Sequence, residues 1–202
     1  MRKTPQHFKR REIKKVIDKI LGDSKLSLTP VSISVKELFN EDLTVTEFSF
    51  DTASRGTRDT VSKRQKGKGF IDGLFSGLQN HFNNDYSSLA KIRLADFDVN
   101  PIISNFQSTS GADAQASVSL SVNIAPHGIS EFQHKSRSVI YSSFTTALEA
   151  FQFYINCERS FHKIQFFLNH AQERNRSDVA NQYVYDLSKL TEVNTYEKKK
   201  KD

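Results

Sequence analysis

The stretch Gly67-Lys68-Gly69-Phe70-Ile71-Asp72-Gly73-Leu74-Phe75-Ser76-Gly77-Leu78 decides how the chain is read. Two glycines stand directly before Ile71, Leu74, Phe75, Leu78 and Phe82, which recur at the spacing of one helix face. The spacing predicts a helix over 70–83, ended by Asn83-Asn84-Asp85. Glycine lets a backbone approach a ligand closely, and the free N–H groups of a helix start favour an anion such as a carboxylate. Asp72 falls in the first turn, where the helix dipole favours its charge.

Strands precede this helix. Val31, Ile33 and Val35 alternate with Ser and Lys, and residues 43–50 are rich in β-branched and aromatic side chains. Arg58 to Lys66 reads as a third, polar strand. The order then recurs. Ile92 to Ile103 reads as a strand, and Ala114, Ala116, Val118, Leu120, Val122 and Ile124 alternate strictly with polar residues. Pro126-His127-Gly128 is a turn, Ile129 to Lys135 a return strand, and a second helix starts near Arg137 with Ile140, Phe144, Ala147, Leu148, Phe151 and Ile155 on one face. Strand-strand-strand-helix thus appears twice, over about 30–83 and 91–156, which predicts an α+β layered fold with an internal duplication.

Outside the repeat, residues 5–21 predict a basic amphipathic helix with Phe8, Ile13, Val16, Ile17, Ile20 and Leu21 as its apolar stripe and Gly22 as its stop. Such a helix packs on its own domain or on a partner subunit. Residues 160–175 predict a separate helix, Tyr183 to Leu190 a short docking element, and Lys198 to Lys201 a disordered tail. The expected divisions are 1–27, a basic helix and linker; 28–157, the repeat domain; and 158–202, the C-terminal helix and tail.

Charge follows these divisions. The net charge of +6 comes from +6 in residues 1–20 and +2 in residues 196–202, leaving −2 on the 175 residues between. A nucleic-acid binder more often carries a basic stripe across its folded surface, so a nucleic-acid partner is not expected. No stretch approaches the roughly 20 apolar residues that span a bilayer. A single cysteine, Cys157, excludes an internal disulfide and a cysteine zinc cluster, and a cytoplasmic setting with no cofactor is the expectation. The Gly-x-Gly-x-x-x-Gly spacing lacks the parallel strand–helix–strand context of a dinucleotide fingerprint. Cys157 lies among Phe151, Phe153, Ile155 and Phe161 and reads as a buried thiol, and the six histidines are scattered.

Three motifs in order carry a family resemblance. They are Gly67-Lys68-Gly69-Phe70-Ile71-Asp72-Gly73, then Ser110-Gly111-Ala112-Asp113-Ala114-Gln115-Ala116-Ser117-Val118, then Ser138-Val139-Ile140-Tyr141-Ser142-Ser143 continuing to Leu148-Glu149-Ala150. Over about residues 28–157 the chain resembles the C-terminal regulatory, dimerisation domain of 2-isopropylmalate synthase and its relatives such as citramalate synthase. Phe70 stands where that family has proline and Gly73 where it has alanine. Glycines usual in the family's second loop are replaced by the bulkier Phe132-Gln133-His134-Lys135-Ser136-Arg137.

The resemblance implies a pseudo-twofold pair of βββα units that forms a homodimer. It implies a leucine- or isoleucine-type amino acid bound between the units, and control of a catalytic barrel of the acyl-CoA condensing type. Gly67, Lys68, Gly69 and Asp72, together with Ser136, Arg137 and Ser138, would line the ligand, while Gly111 and Ala114 would shape the adjacent turn and strand. Asp72 or Asp98 would take the ligand ammonium. The chain has no room for the barrel and no His-x-His metal pair, so it is expected to be non-catalytic. It would be either a free-standing partner of a separate catalytic subunit, as Met1 and the basic leader suggest, or a piece of a longer enzyme. The alternative is a structural dimerisation or scaffold protein without a ligand pocket.

Overall fold

The computed structural model describes residues 5–102 and 115–196, with residues 5–8 described by backbone alone. Helix α1 (Pro5–Leu21) leads into strands β1 (Ser27–Leu38), β2 (Leu43–Ser54) and β3 (Thr57–Gly67) and helix α2 (Phe70–Phe82). Strands β4 (Ile92–Ile102), β5 (Gln115–Ile124) and β6 (Gly128–Ser136) follow, then helices α3 (Val139–Glu173) and α4 (Ser177–Thr191). The strands form two separate antiparallel sheets, β1-β2-β3 and β4-β5-β6. The fold is α+β, a pair of βββα units with flanking helices.

The two units match residue by residue. Gly69 and Ser138 each stand directly before their helix. Two residues earlier, Gly67 pairs with Thr44 and Ser136 with Ala116, so the hairpins share one register. The first strand of each sheet is interrupted at the same place: between Pro30 and Ser32 opposite Phe50 and Ser49, and between Leu94 and Asp96 opposite Val122 and Ser121. A repeated bulge of this kind bends both strands alike. Thirteen residues into each helix, Phe82 and Phe151 are counterparts, and their rings meet at 6.3 Å. The approximate dyad passes between them.

Period two explains the strands. Phe48 and Phe50 on β2, and Val118, Leu120, Val122 and Ile124 on β5, face the helices and are buried. Their outward neighbours are Glu47 and Ser49, and Ser119 and Ser121. Gly73 and Gly77 let α2 lie close on its sheet. A Cβ on Gly77 would stand 2.8 Å from the Phe48 ring, and one on Gly73 would stand 3.0 Å from Thr46 Oγ1. The core is aromatic: Phe75 meets Phe151 at 5.0 Å across the dyad, and Phe144 meets Phe48 edge-on at 5.7 Å.

Each helix also holds the first strand of the other unit. Asn156 on α3 accepts from the Leu26 N–H at 2.9 Å and donates to the Leu26 carbonyl at 2.8 Å. One turn earlier, Gln152 accepts from the Leu28 N–H at 2.8 Å. In return Gln79 on α2 donates to the carbonyls of Leu89 and Ile92, at the entry to β4.

The expected elements stand with two corrections, the first being that the short element expected over Tyr183 to Leu190 is the 15-residue helix α4 starting at Ser177. The helices expected at 137–156 and 160–175 are a single helix, α3, of 35 residues, which runs unbroken through the division placed at residue 157. Glu158, Arg159 and Ser160 stand at the expected gap between the two helices. Glu158 is instead buried, with the Ser88 N–H donating to it at 3.2 Å and His162 3.6 Å away. No glycine or proline interrupts the run, and apolar residues continue through Phe161 and Ile164. Helix α1 packs on the protein itself, burying Ile13, Val16, Ile17, Ile20 and Leu21, and Lys19 pairs with the buried Asp186 of α4 at 2.7 Å. The lysine run lies outside the described residues. Among the described residues no helix is long and apolar enough to cross a membrane.

Two substitutions test this packing. Asn156→Ala leaves both backbone groups of Leu26 unpaired in a buried setting and is expected to cost about 2–4 kcal/mol, read from urea unfolding. Gly77→Ala raises helix propensity by about 1 kcal/mol. It nevertheless drives a methyl group into Phe48, and a net loss of about 1–3 kcal/mol is expected.

Candidate functional site

The two helix starts singled out in the sequence are counterparts about the dyad, Gly67-Lys68-Gly69 and Ser136-Arg137-Ser138. Their chemistry differs. At α2, Gly69 precedes the helix with no side chain to cap it. Its backbone is extended (φ −167°), and a Cβ there would meet nothing within 4 Å. The first N–H groups of α2 therefore have no capping oxygen from Gly69, and open space lies beside them. Gly67 is the opposite case: a Cβ would stand 2.7 Å from both Asp72 Oδ2 and the Gly73 nitrogen. Its glycine identity serves the tight passage from β3 into α2. Asp72 closes the same passage by accepting from the Lys68 N–H at 3.3 Å.

The α2 start also touches the other unit. The Phe70 ring meets Phe97 of β4 edge-on at 6.0 Å. Asp98, next along β4, is exposed and accepts from Asn100 Nδ2 at 2.6 Å.

At α3 the corresponding groups satisfy one another. Ser138 Oγ caps the helix by accepting from the Tyr141 N–H at 3.2 Å. Ser136 Oγ accepts from the Ser138 N–H at 3.1 Å and lies 2.7 Å from Ser142 Oγ. Ser142 in turn lies 3.1 Å from His134 Nδ1. Ser142 and Thr146 occupy the places of Gly73 and Gly77, and Thr146 Oγ1 donates to the Ser142 carbonyl at 2.6 Å. Arg137 is exposed. Gly111 and Ala114 lie outside the described residues.

Two cavities among the described residues lie away from these starts. One of about 400 Å³ runs between α1, the entry to β1 and α3, lined by Arg10, Phe132, Glu149 and Gln152 among others. The Arg10 guanidinium lies 4.7 Å above the Phe132 ring and donates to the Glu131 carbonyl. Another, of about 270 Å³, is bounded by the end of α1, the β2–β3 turn and α3. Neither has a residue of the two helix starts in its lining. Sequence reasoning missed both, because their residues come from segments far apart in the chain. Glu158, on the second, carries the clearest electrostatic signature. Burial pushes its carboxyl up, but hydrogen bonds from His162 and Ser88 outweigh burial and hold it below the usual carboxylate range. Burial also pushes the Cys157 thiol well up, as its place in the core requires.

No protein-family model matches the chain, and no curated protein matches it. Its class rests on architecture, a pseudo-twofold βββα pair with one uncapped and one self-capped helix start.

The asymmetry of the two starts is testable. Ser138→Ala is expected to destabilise by about 1 kcal/mol, whereas Gly69→Ser, which adds a cap in open space, is expected to stabilise by a few tenths of a kcal/mol. Both are read from thermal or urea midpoints. Glu158 gives a pH dependence. Its folded value lies below its unfolded one, so its contribution is full above the ordinary glutamate range and is lost as pH falls through the folded value. Urea midpoints taken from neutral pH downward should fall less steeply below about pH 4.3 in Glu158→Gln than in the parent.

Proposed function

We propose that the chain is a non-catalytic, amino-acid-sensing and dimerising domain acting in the cytosol, similar to the regulatory domain of 2-isopropylmalate synthase. Its ligand is a branched-chain amino acid of the leucine type, and its target is an acyl-CoA condensing enzyme of branched-chain amino-acid synthesis. The observation that carries this reading is the start of α2, uncapped and open at Gly69 and in ring contact with the second unit through Phe70 and Phe97. The first N–H groups of α2 take the ligand carboxylate. The Phe70–Phe97 pair receives the aliphatic group. Asp72 and Asp98 are the acids offered to the ammonium. Occupancy biases the target through the shared interface by about 1–3 kcal/mol, the usual scale of allosteric coupling.

A second reading, a dimerisation scaffold without ligand, is favoured by one observation: Ser136, Ser138, Ser142 and His134 satisfy each other at the counterpart start. Calorimetry with leucine, isoleucine and valine at millimolar concentration separates the two. Heat from at least one, abolished by Gly69→Val while the dimer persists in sedimentation, is the expected result. Silence from all three with a dimer present selects the scaffold, and a monomer without heat removes both.

A further inference from the structure

The cavity of about 270 Å³ between the end of α1, the β2–β3 turn and the middle of α3 carries an unbalanced set of charges. Arg55, Arg159 and Lys163 line it, and none pairs with a carboxylate among the described residues. Arg159 donates to Ser54 Oγ at 3.2 Å, a neutral acceptor. Lys163 lies 5.8 Å above the Phe167 ring. Arg55 makes no hydrogen bond or ion pair among the described residues. The acids on the same lining are Asp85 and Glu158, and Glu158 is already engaged by the Ser88 N–H and His162.

Arg55 also occupies an unusual backbone position. It and Gly56 form the two-residue turn between β2 and β3 with φ of 53° and 81°. Turns of this type favour asparagine or glycine first, and a left-handed arginine costs about 1–2 kcal/mol. That conformation sets a guanidinium at the cavity wall. Leu21 adds an apolar wall and Tyr86 a ring with a hydroxyl.

We propose that this cavity binds a small anionic ligand, one bearing a phosphate or carboxylate group, held by Arg55, Arg159 and Lys163. Arginine presents paired donors that suit a planar carboxylate or two phosphate oxygens, and lysine adds a point charge. The volume lies just below the range of about 300–1,000 Å³ common for ligand pockets, which suits a small metabolite rather than a nucleotide. This site is independent of the α2 start.

The test uses the full chain titrated separately with inorganic phosphate and acetate, followed by backbone amide NMR shifts and calorimetry. Saturable shifts confined to residues 54–56, 85–86 and 158–163 are expected. Arg55→Asn, which suits the left-handed turn, and Lys163→Gln should each weaken binding about tenfold, the scale of a lost charge-assisted contact. Lys36→Gln, an exposed cation on β1, should not change it. Phosphate binding more tightly than acetate assigns a phosphoryl ligand, and comparable binding assigns a carboxylate. No saturation with either ion, or equal loss in Lys36→Gln, overturns the proposal. Loss of binding in Gly69→Val overturns it as well, because the anion would then sit at the α2 start. Silence of the branched-chain amino acids leaves this test unaffected.

Discussion

Two side-chain amides on one helix hold the architecture together. Among the described residues, each three-stranded sheet has a first strand whose outer edge has no strand neighbour, and an unpaired edge is both a cost and a hazard. Asn156 and Gln152 meet the backbone at Leu26 and Leu28 as a neighbouring strand would. The geometry allows it because four residues of helix rise about 6 Å and two residues of strand about 6.6 Å. Amides at i and i+4 therefore match backbone groups at i and i+2. Gln79 does the corresponding service at the entry to β4. The two units are clasped reciprocally, each helix on its own sheet and on the other's edge.

From that clasp follows the closeness of the centre. With the edges fixed, the helices must fit between the sheets, and the two halves solve this differently. Helix α2 gives up side chains at Gly73 and Gly77 to lie close on β2. Helix α3 keeps Ser142 and Thr146 there and satisfies their hydroxyls locally. The same substitution of hydroxyl for hydrogen runs back into the turns, where glycine at 67 and 69 faces serine at 136 and 138. One helix start is left open and the other closed on itself. A near-symmetric frame thus presents an asymmetric chemistry.

Most of the frame was legible in the sequence because each half-buried strand states its period openly, as Val118 to Ile124 does, and because glycine marks the passage into α2. The unity of α3 was not legible. Glu158 and Arg159 look like surface residues until the fold brings the Ser88 N–H onto Glu158, beside His162 one turn along the same helix. The candidate site was half legible. Gly69 was found by its position before a helix. Gly67 was found for a reason that the geometry reassigns to packing against Gly73. Arg55 was passed over, since a polar hairpin turn carries no signal of what it will face. Pairing it with Arg159 and Lys163 requires contacts over about a hundred residues of chain.

The clasp also decides how this molecule avoids sticking to copies of itself. Four strand borders exist in two small sheets. Amides cover the start of the borders at β1 and β4, and the Arg10 guanidinium caps one carbonyl, that of Glu131, on β6. On β3, Arg58 and Arg64 pair with Asp51 and Glu47 of β2, while Lys63 and Lys66 add positive charge that disfavours an identical ribbon laid alongside. A strand carrying acidic side chains suits that border better than a second copy of β3 does.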